Sequence, residues 1–192
     1  MIEVRPQRGR IIVVFTHLPF FYSSEIMGTF LITLIFGYMA SGTFSQIYIQ
    51  LVFAVKGRQS LIHASWEEEI YKYITGIVQN KGQKMLAING MPNHIHILIG
   101  MKPNSNLSDL VREIKKASNA FIKEKQFSPY NFQWQSRYGA FSYSHSALDQ
   151  VIKYISNQKE HHKSKTFKEE YLDFLSKYVI DFKEEYLFEW PE

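Results

Sequence analysis

Met91-Pro92-Asn93-His94-Ile95-His96-Ile97-Leu98-Ile99-Gly100 reads as a junction at Met91-Pro92 followed by a strand, with β-branched residues recurring after it. Successive side chains of a strand point to opposite faces. His94 and His96 therefore share one face, and Ile95, Ile97 and Ile99 share the other, which is predicted to meet a core. Two neutral imidazoles on a common rigid face can grip one divalent cation. So short a motif also recurs by chance on the exposed face of half-buried strands. A second element has to choose between these readings.

That element lies some sixty residues downstream, in Ser146-Ala147-Leu148-Asp149-Gln150-Val151-Ile152-Lys153-Tyr154-Ile155-Ser156-Asn157-Gln158-Lys159-Glu160. Leu148, Val151, Ile152 and Ile155 recur at helical spacing. Ser146, with Asp149 three positions on, predicts the helix start. Tyr154 and Gln158 are four residues apart and fall on one helical face. Tyr154 sits beside the apolar stripe, so its hydroxyl can reach a polar cleft. On its own a tyrosine in such a helix is ordinary packing.

Taken together, the two elements resemble the single-tyrosine HUH transposases of bacterial insertion sequences, in which HUH denotes His-hydrophobic-His. The resemblance runs from about Thr43 to about Trp190. Gln46-Ile47-Tyr48-Ile49-Gln50-Leu51-Val52-Phe53-Ala54-Val55-Lys56 looks like the opening strand, and Pro92-Asn93-His94-Ile95-His96 like the metal strand. Tyr138-Gly139-Ala140-Phe141-Ser142 looks like the approach to the nucleophile helix. By resemblance His94 and His96 are metal ligands, Gln158 the third protein ligand and Tyr154 the nucleophile. Rolling-circle initiators of the same superfamily tend to carry lysine four residues after the tyrosine, so Gln158 favours the transposase branch. The resemblance implies cleavage and rejoining of single-stranded DNA at hairpin-flanked ends through a 5′-phosphotyrosine. It also implies a homodimer in which the tyrosine helix of one subunit completes the site of the other. Two nitrogens and an amide oxygen suit Mg²⁺ or Mn²⁺. No residue stands out as a general base.

Composition agrees. The chain has 192 residues, 45% hydrophobic and 16% aromatic, enough for one well-packed domain and against disorder. A net charge of +4 suits a polyanionic partner. With no cysteine, disulfides, thiolate metal sites and cysteine nucleophiles are excluded; a cytoplasmic location is expected.

Residues 1–38 stand apart from the domain at 39–192. Arg5, Arg8 and Arg10 precede Ile11-Ile12-Val13-Val14-Phe15, and Ile26 to Ala40 is an uncharged run of fifteen residues, short of the ~20 that cross a bilayer. The pattern resembles a secretory leader, which a DNA-processing domain does not need. The preferred reading is upstream sequence, with the biological start at Met39.

From Thr43 onward, Phe44 to Val55 reads as a strand, and Ser65-Trp66-Glu67-Glu68 as a capping box opening a helix to about Asn80. Lys84 to Gly90 and Asn93 to Met101 are two more strands. Leu107 to about Gln126 is helical, with Leu110, Val111, Ile114, Ala117 and Phe121 inward. One or two strands fall within Phe132 to Tyr143. The fold class is α+β: a ferredoxin-like (RRM-like) antiparallel sheet with helices on one face, plus an added C-terminal nucleophile helix. Thr166 to Ser176 is one more helix, and Tyr186 to Trp190 an apolar tail that packs back.

Lys56, Arg58, Arg112, Lys115 and Lys116 are the candidate phosphate contacts. Three other readings compete. A domesticated relative acting on repetitive genomic hairpins would carry the same residues. A non-enzymatic RNA-binding module would need exposed aromatics on the central strands, where this chain has His94 and His96. A metal-dependent hydrolase would need further ligands, and His161 and His162 are expected to point apart.

Overall fold

The computed structural model describes the backbone of residues 2–7, 10–15 and 44–188, and the side chains of 44–188 apart from that of Arg58. The chain divides into two units, residues 1–44 and 45–192. The first contains an antiparallel hairpin of β1 (Ile2–Gln7) and β2 (Arg10–Phe15), in which Gln7 faces Arg10. Ile26 to Ala40 lies outside the described residues.

The second unit runs β3 (Ile47–Ala54), α1 (Glu67–Asn80), β4 (Lys84–Met91), β5 (His94–Met101), α2 (Leu107–Glu124) and β6 (Gly139–Tyr143). The strands form one antiparallel sheet in the order β4-β5-β3-β6. This is the expected ferredoxin-like arrangement. One face carries Leu51, Phe53, Val55, Ile95, Ile97 and Ile99 beneath α1 and α2, whose Ile70, Ile74, Val78, Leu110, Val111 and Ile114 complete the main core. Burial of each isoleucine there contributes ~1.5–3 kcal/mol.

The other face is covered by the C-terminal segment, which forms α3 (Leu148–Ser156), α4 (Gln158–His161) and α5 (Phe167–Lys177). Phe167, Tyr171, Phe174 and Leu175 of α5, with Leu187 and Phe188 of the tail, close over Val52, Ala54 and Phe141. Val151 and Ile155 of α3 meet Leu98. The tail thus packs back as expected, though Glu189 and Trp190 lie outside the described residues. Both faces of β3 and β5 are therefore covered, and neither central strand offers the open aromatic platform that an RNA-binding sheet uses.

Two helix starts differ from the sequence expectation. Ser65 does not cap α1; its amide and hydroxyl both meet His63 Nδ1, and Trp66 holds the cap position without a side-chain bond. The indole is buried and stacked on Phe127, so packing fixes the entry, while Glu67, Glu68 and Glu69 complement the helix dipole. Ser146 likewise makes no cap. The chain enters α3 through a 3₁₀ turn, His145–Ala147, and the Ser146 hydroxyl bonds that of Ser144.

Lys115 is a correction of another kind. Its side chain is buried, and Nζ donates to the carbonyls of Gln135 and Arg137 at 2.7 Å and of Ser136 at 3.4 Å. It also lies 5.1 Å from the centre of the Phe53 ring. Burial pushes its pKa down to about 8, while the three carbonyls favour the ammonium. Lys115 pins the irregular segment before β6 and is not available to a DNA phosphate. Lys115→Met is expected to lower stability by about 2 kcal/mol, because carbonyls lose a charged donor. The Lys116→Met change on the exposed neighbour should stay within about 0.5 kcal/mol. Urea unfolding of the two variants checks the difference.

Candidate active site

The β4–β5 hairpin sets the position of the histidines. Met91 faces His94 across a two-residue turn, and Gly90 faces Ile95. A Cβ on Gly90 would lie 2.3 Å from the His94 carbonyl oxygen, so the tight approach of the two strands there requires glycine. Both imidazoles are buried, on the face opposite Ile95 and Ile97. The ring of His94 stacks on Phe167 of α5. His96 Nδ1 lies 2.9 Å from Gln50 Nε2, and Gln50 Oε1 accepts from the Tyr143 hydroxyl at 2.8 Å. A chain from β6 through β3 thus orients the second histidine, the kind of outer partner that fixes ligand imidazoles.

The C-terminal helices bring the rest. Helix α3 ends at Asn157, whose φ of -99° and ψ of 21° break it before α4 begins at Gln158. Tyr154 and Gln158 are therefore on two helices rather than one, yet both turn into the site. Asn89 of β4 donates to the Ser156 carbonyl at 2.8 Å and ties this break to the sheet. The Tyr154 ring meets that of His96 edge to face at 5.9 Å. Its hydroxyl donates to Glu170 Oε1, and Gln158 Nε2 donates to the same oxygen at 3.3 Å.

Glu170 is the centre of the arrangement. It lies on the buried side of α5 and is 3% exposed. Its Oε2 is 3.3 Å from His96 Nε2, 3.4 Å from His162 Nε2 and 3.8 Å from His94 Nε2. His161 Nε2 is 3.4 Å from Oε1. Burial alone would raise the Glu170 carboxyl, but the surrounding imidazoles, His96 foremost, outweigh it and hold the group well below the usual carboxylate range. Burial, and then Glu170, push the Tyr154 phenol far above its ordinary value, so it remains a protonated donor. Burial lowers His161 against the opposing pull of Glu170.

One donor atom each from His94, His96, His162 and Glu170 falls within 4.8 Å of the others, which suits a divalent cation. The hydrogen bonding agrees with such an occupant. His162 Nδ1–H donates to the Lys165 carbonyl at 2.8 Å, leaving the Nε2 lone pair turned toward His94 Nε2, 3.1 Å away. His96 Nε2, Gln158 Oε1 and Glu170 Oε2 are buried without hydrogen-bond partners. Orphaned buried atoms cost about 1–3 kcal/mol apiece, a penalty that a cation among them would remove. A cleft of about 530 Å³, lined by Tyr154, His161, Lys165, Glu170, Lys177 and Tyr178 among others, leads to the phenol from solvent.

His94, His96, Tyr154 and Gln158, all singled out from sequence, are brought together. The basic candidates are not. Arg112 and Lys116 are exposed on α2, which packs on the sheet face opposite the histidines, and Arg112 pairs with Asp109 at 2.7 Å. Lys56 is exposed beyond the end of β3, and the Arg58 side chain lies outside the described residues. Basic groups at the cleft itself, Lys165 and Lys177, went unread, as did Glu170. His161 and His162 do diverge, but they straddle one carboxylate, so divergence does not remove them from the site. Within the one chain described, the short Asn157 break and the bond to Asn89 place Tyr154 over its own chain's histidines.

Among known proteins, the family described as "Transposase IS200 like" matches residues 43–158. The ISDra2 transposase TnpA of Deinococcus radiodurans is 23% identical over 120 residues, spanning 60% of this chain and 86% of that protein. A crystallised candidate transposase from D. radiodurans r1 is similar with a TM-score of 0.48 and 22% identity, over 62% of this chain and 95% of the other. A REP-associated tyrosine transposase bound to a REP hairpin gives 0.49 and 16%, over 65% and 74%. None of the described helices is long and apolar enough to cross a membrane. Since the family match covers more than half of its residues, this chain belongs to the IS200-like transposases.

Proposed function

We propose that the protein cleaves and rejoins single-stranded DNA at hairpin-flanked sites in the cytoplasm, with Tyr154 as nucleophile. The observation that carries this is the hydrogen bond of the Tyr154 hydroxyl to buried Glu170, with the tyrosine ring against that of His96, at the head of an open cleft. The Tyr154 oxygen attacks the scissile phosphorus as the bond to the 3′-oxygen breaks. A 5′-phosphotyrosine forms, the phenol proton is lost to an acceptor, and the departing 3′-oxygen gains a proton. Attack by another 3′-hydroxyl reverses the step and joins DNA without a nucleotide cofactor. His94 and His96 would hold Mg²⁺ or Mn²⁺, with Gln158 Oε1, free of any hydrogen bond, as a third donor. When bound, the cation would polarise a phosphate oxygen and orient the scissile bond. Lys165 and Lys177 at the cleft supply charge for the flanking backbone, while Lys56, Arg112 and Lys116 are left to contacts farther away.

A homodimer with composite sites remains part of this reading, as a way to hold two DNA ends. A host-domesticated relative would share every one of these residues, and only the DNA flanking the gene separates it from a mobile element. We further propose that residues 1–38 stand outside the catalytic domain.

Tyr154→Phe removes one oxygen and keeps the ring. It is expected to bind a hairpin oligonucleotide with a single-stranded flank yet form no denaturant-resistant protein–DNA adduct on gel electrophoresis. An adduct formed by that variant through Tyr143 or another of the twelve tyrosines would displace Tyr154 from its role. Mixing it with a His94→Ala, His96→Ala variant should restore no adduct if each chain uses its own tyrosine; recovery on the double-mutant chain would establish exchange between subunits. Deletion of residues 1–38 is expected to leave adduct yield and thermal midpoint unchanged, and a truncated chain that cannot fold would refute the boundary.

A further inference from the structure

Glu170 sits where an amphipathic helix would be expected to carry an apolar residue. It shares the buried face of α5 with Phe167, Tyr171 and Phe174. Its neighbour Glu169 does the ordinary work of a helix start, in a capping box with Thr166. Burial of an ionised carboxylate costs several kcal/mol unless charge and hydrogen bonds offset it. Here the compensation is divided between its two oxygens. Oε1 receives the Tyr154 hydroxyl and the Gln158 amide, whereas Oε2 makes no hydrogen bond and faces the Nε2 atoms of His96, His162 and His94.

We propose that His162 and Glu170, both beyond the segment that matches the family, are further ligands of the cation, and that Glu170 also tethers the nucleophile to it. Oε2 is the ligand atom, and Oε1 holds the Tyr154 hydroxyl beside the occupied site. The proposal rests on the reading of His94 and His96 as cation ligands. Glu170 is thereby a positioning residue for Tyr154, because its effect on the attacking oxygen passes through the hydrogen bond. The donor set changes the expected metal. Three imidazole nitrogens and a carboxylate, beside the Gln158 amide oxygen, favour Mn²⁺ and later first-row ions over Mg²⁺, which prefers oxygen ligands and keeps its waters. A purely structural role for Glu170, as a latch docking α5 on the histidine strand, predicts none of this.

Calorimetric titration of the full-length protein with MnCl₂ separates the alternatives. Wild type is expected to bind one Mn²⁺ per chain, with Mg²⁺ competing poorly, and the His94→Ala, His96→Ala variant to bind none. Glu170→Gln and His162→Ala should each weaken Mn²⁺ roughly tenfold or more, with Glu170→Asp retaining part of the affinity. At saturating Mn²⁺ the two roles come apart. His162→Ala should recover adduct formation, whereas Glu170→Gln should remain slow because the hold on Tyr154 is altered. Wild-type Mn²⁺ affinity in both Glu170→Gln and His162→Ala, alongside loss in the histidine double variant, overturns this proposal and leaves the His94/His96 site standing. Absence of Mn²⁺ binding by wild type overturns both. Should Glu170→Gln fail to fold, His162→Ala decides the ligand set and Glu170→Asp the tether.

Discussion

Strand β5 has to be covered on both faces, and the two faces require different chemistry. Ile95, Ile97 and Ile99 need only apolar neighbours, which α1 and α2 supply. His94 and His96, one residue out of phase, are just as inaccessible but carry nitrogens that must find partners. An apolar lid would leave them stranded. The C-terminal segment answers with a mixed surface: Phe167 and Phe174 against the imidazole rings, and Glu170 and His162 toward their nitrogens. Much of the path after β6 is dictated by that demand.

The same demand leaves the site incompletely satisfied. Buried polar atoms usually have partners, yet His96 Nε2, Gln158 Oε1, His161 Nε2 and Glu170 Oε2 have none here, and a phenol is held far from ionisation. Polar groups in a low-dielectric setting interact strongly and are expensive when unpaired. Strain of this sort concentrates at functional sites and is supported by the surrounding packing. The supports are identifiable: the main core beneath β5, the Gln50–Tyr143 pair behind His96, and Asn89 at the end of α3.

Elements with a single dominant period were legible in the sequence. The strand alternation of His94 to Ile99, the stripe of Leu110, Val111 and Ile114, and the stripe around Val151 and Ile155 each gave the correct element and inward face. Choices between adjacent chemically identical residues were not. Lys115 and Lys116 are both lysines on α2, but one is enclosed by three carbonyls and the other is solvated. Glu169 and Glu170 look like two first-turn acids; a rotation of about 100° per residue sends one to the cap and the other into the site. The Ser65 cap failed because Trp66 burial overrode a local preference. The one available pointer to Glu170 was its place in the apolar spacing of Phe167, Tyr171 and Phe174, and that pointer becomes specific only once α5 is known to lie over the histidines.

The break at Asn157 has a consequence for how the protein works when scarce. Because the chain turns back there onto its own sheet, tyrosine, histidines and carboxylate are all delivered by one polypeptide. Sites shared between subunits are complete only in the fraction of molecules that has associated, and that fraction falls on dilution. A site folded from a single chain carries no such dependence. Were each copy to act through the set of groups its own chain holds, encounter with DNA, rather than with another copy, would be the concentration-limited event.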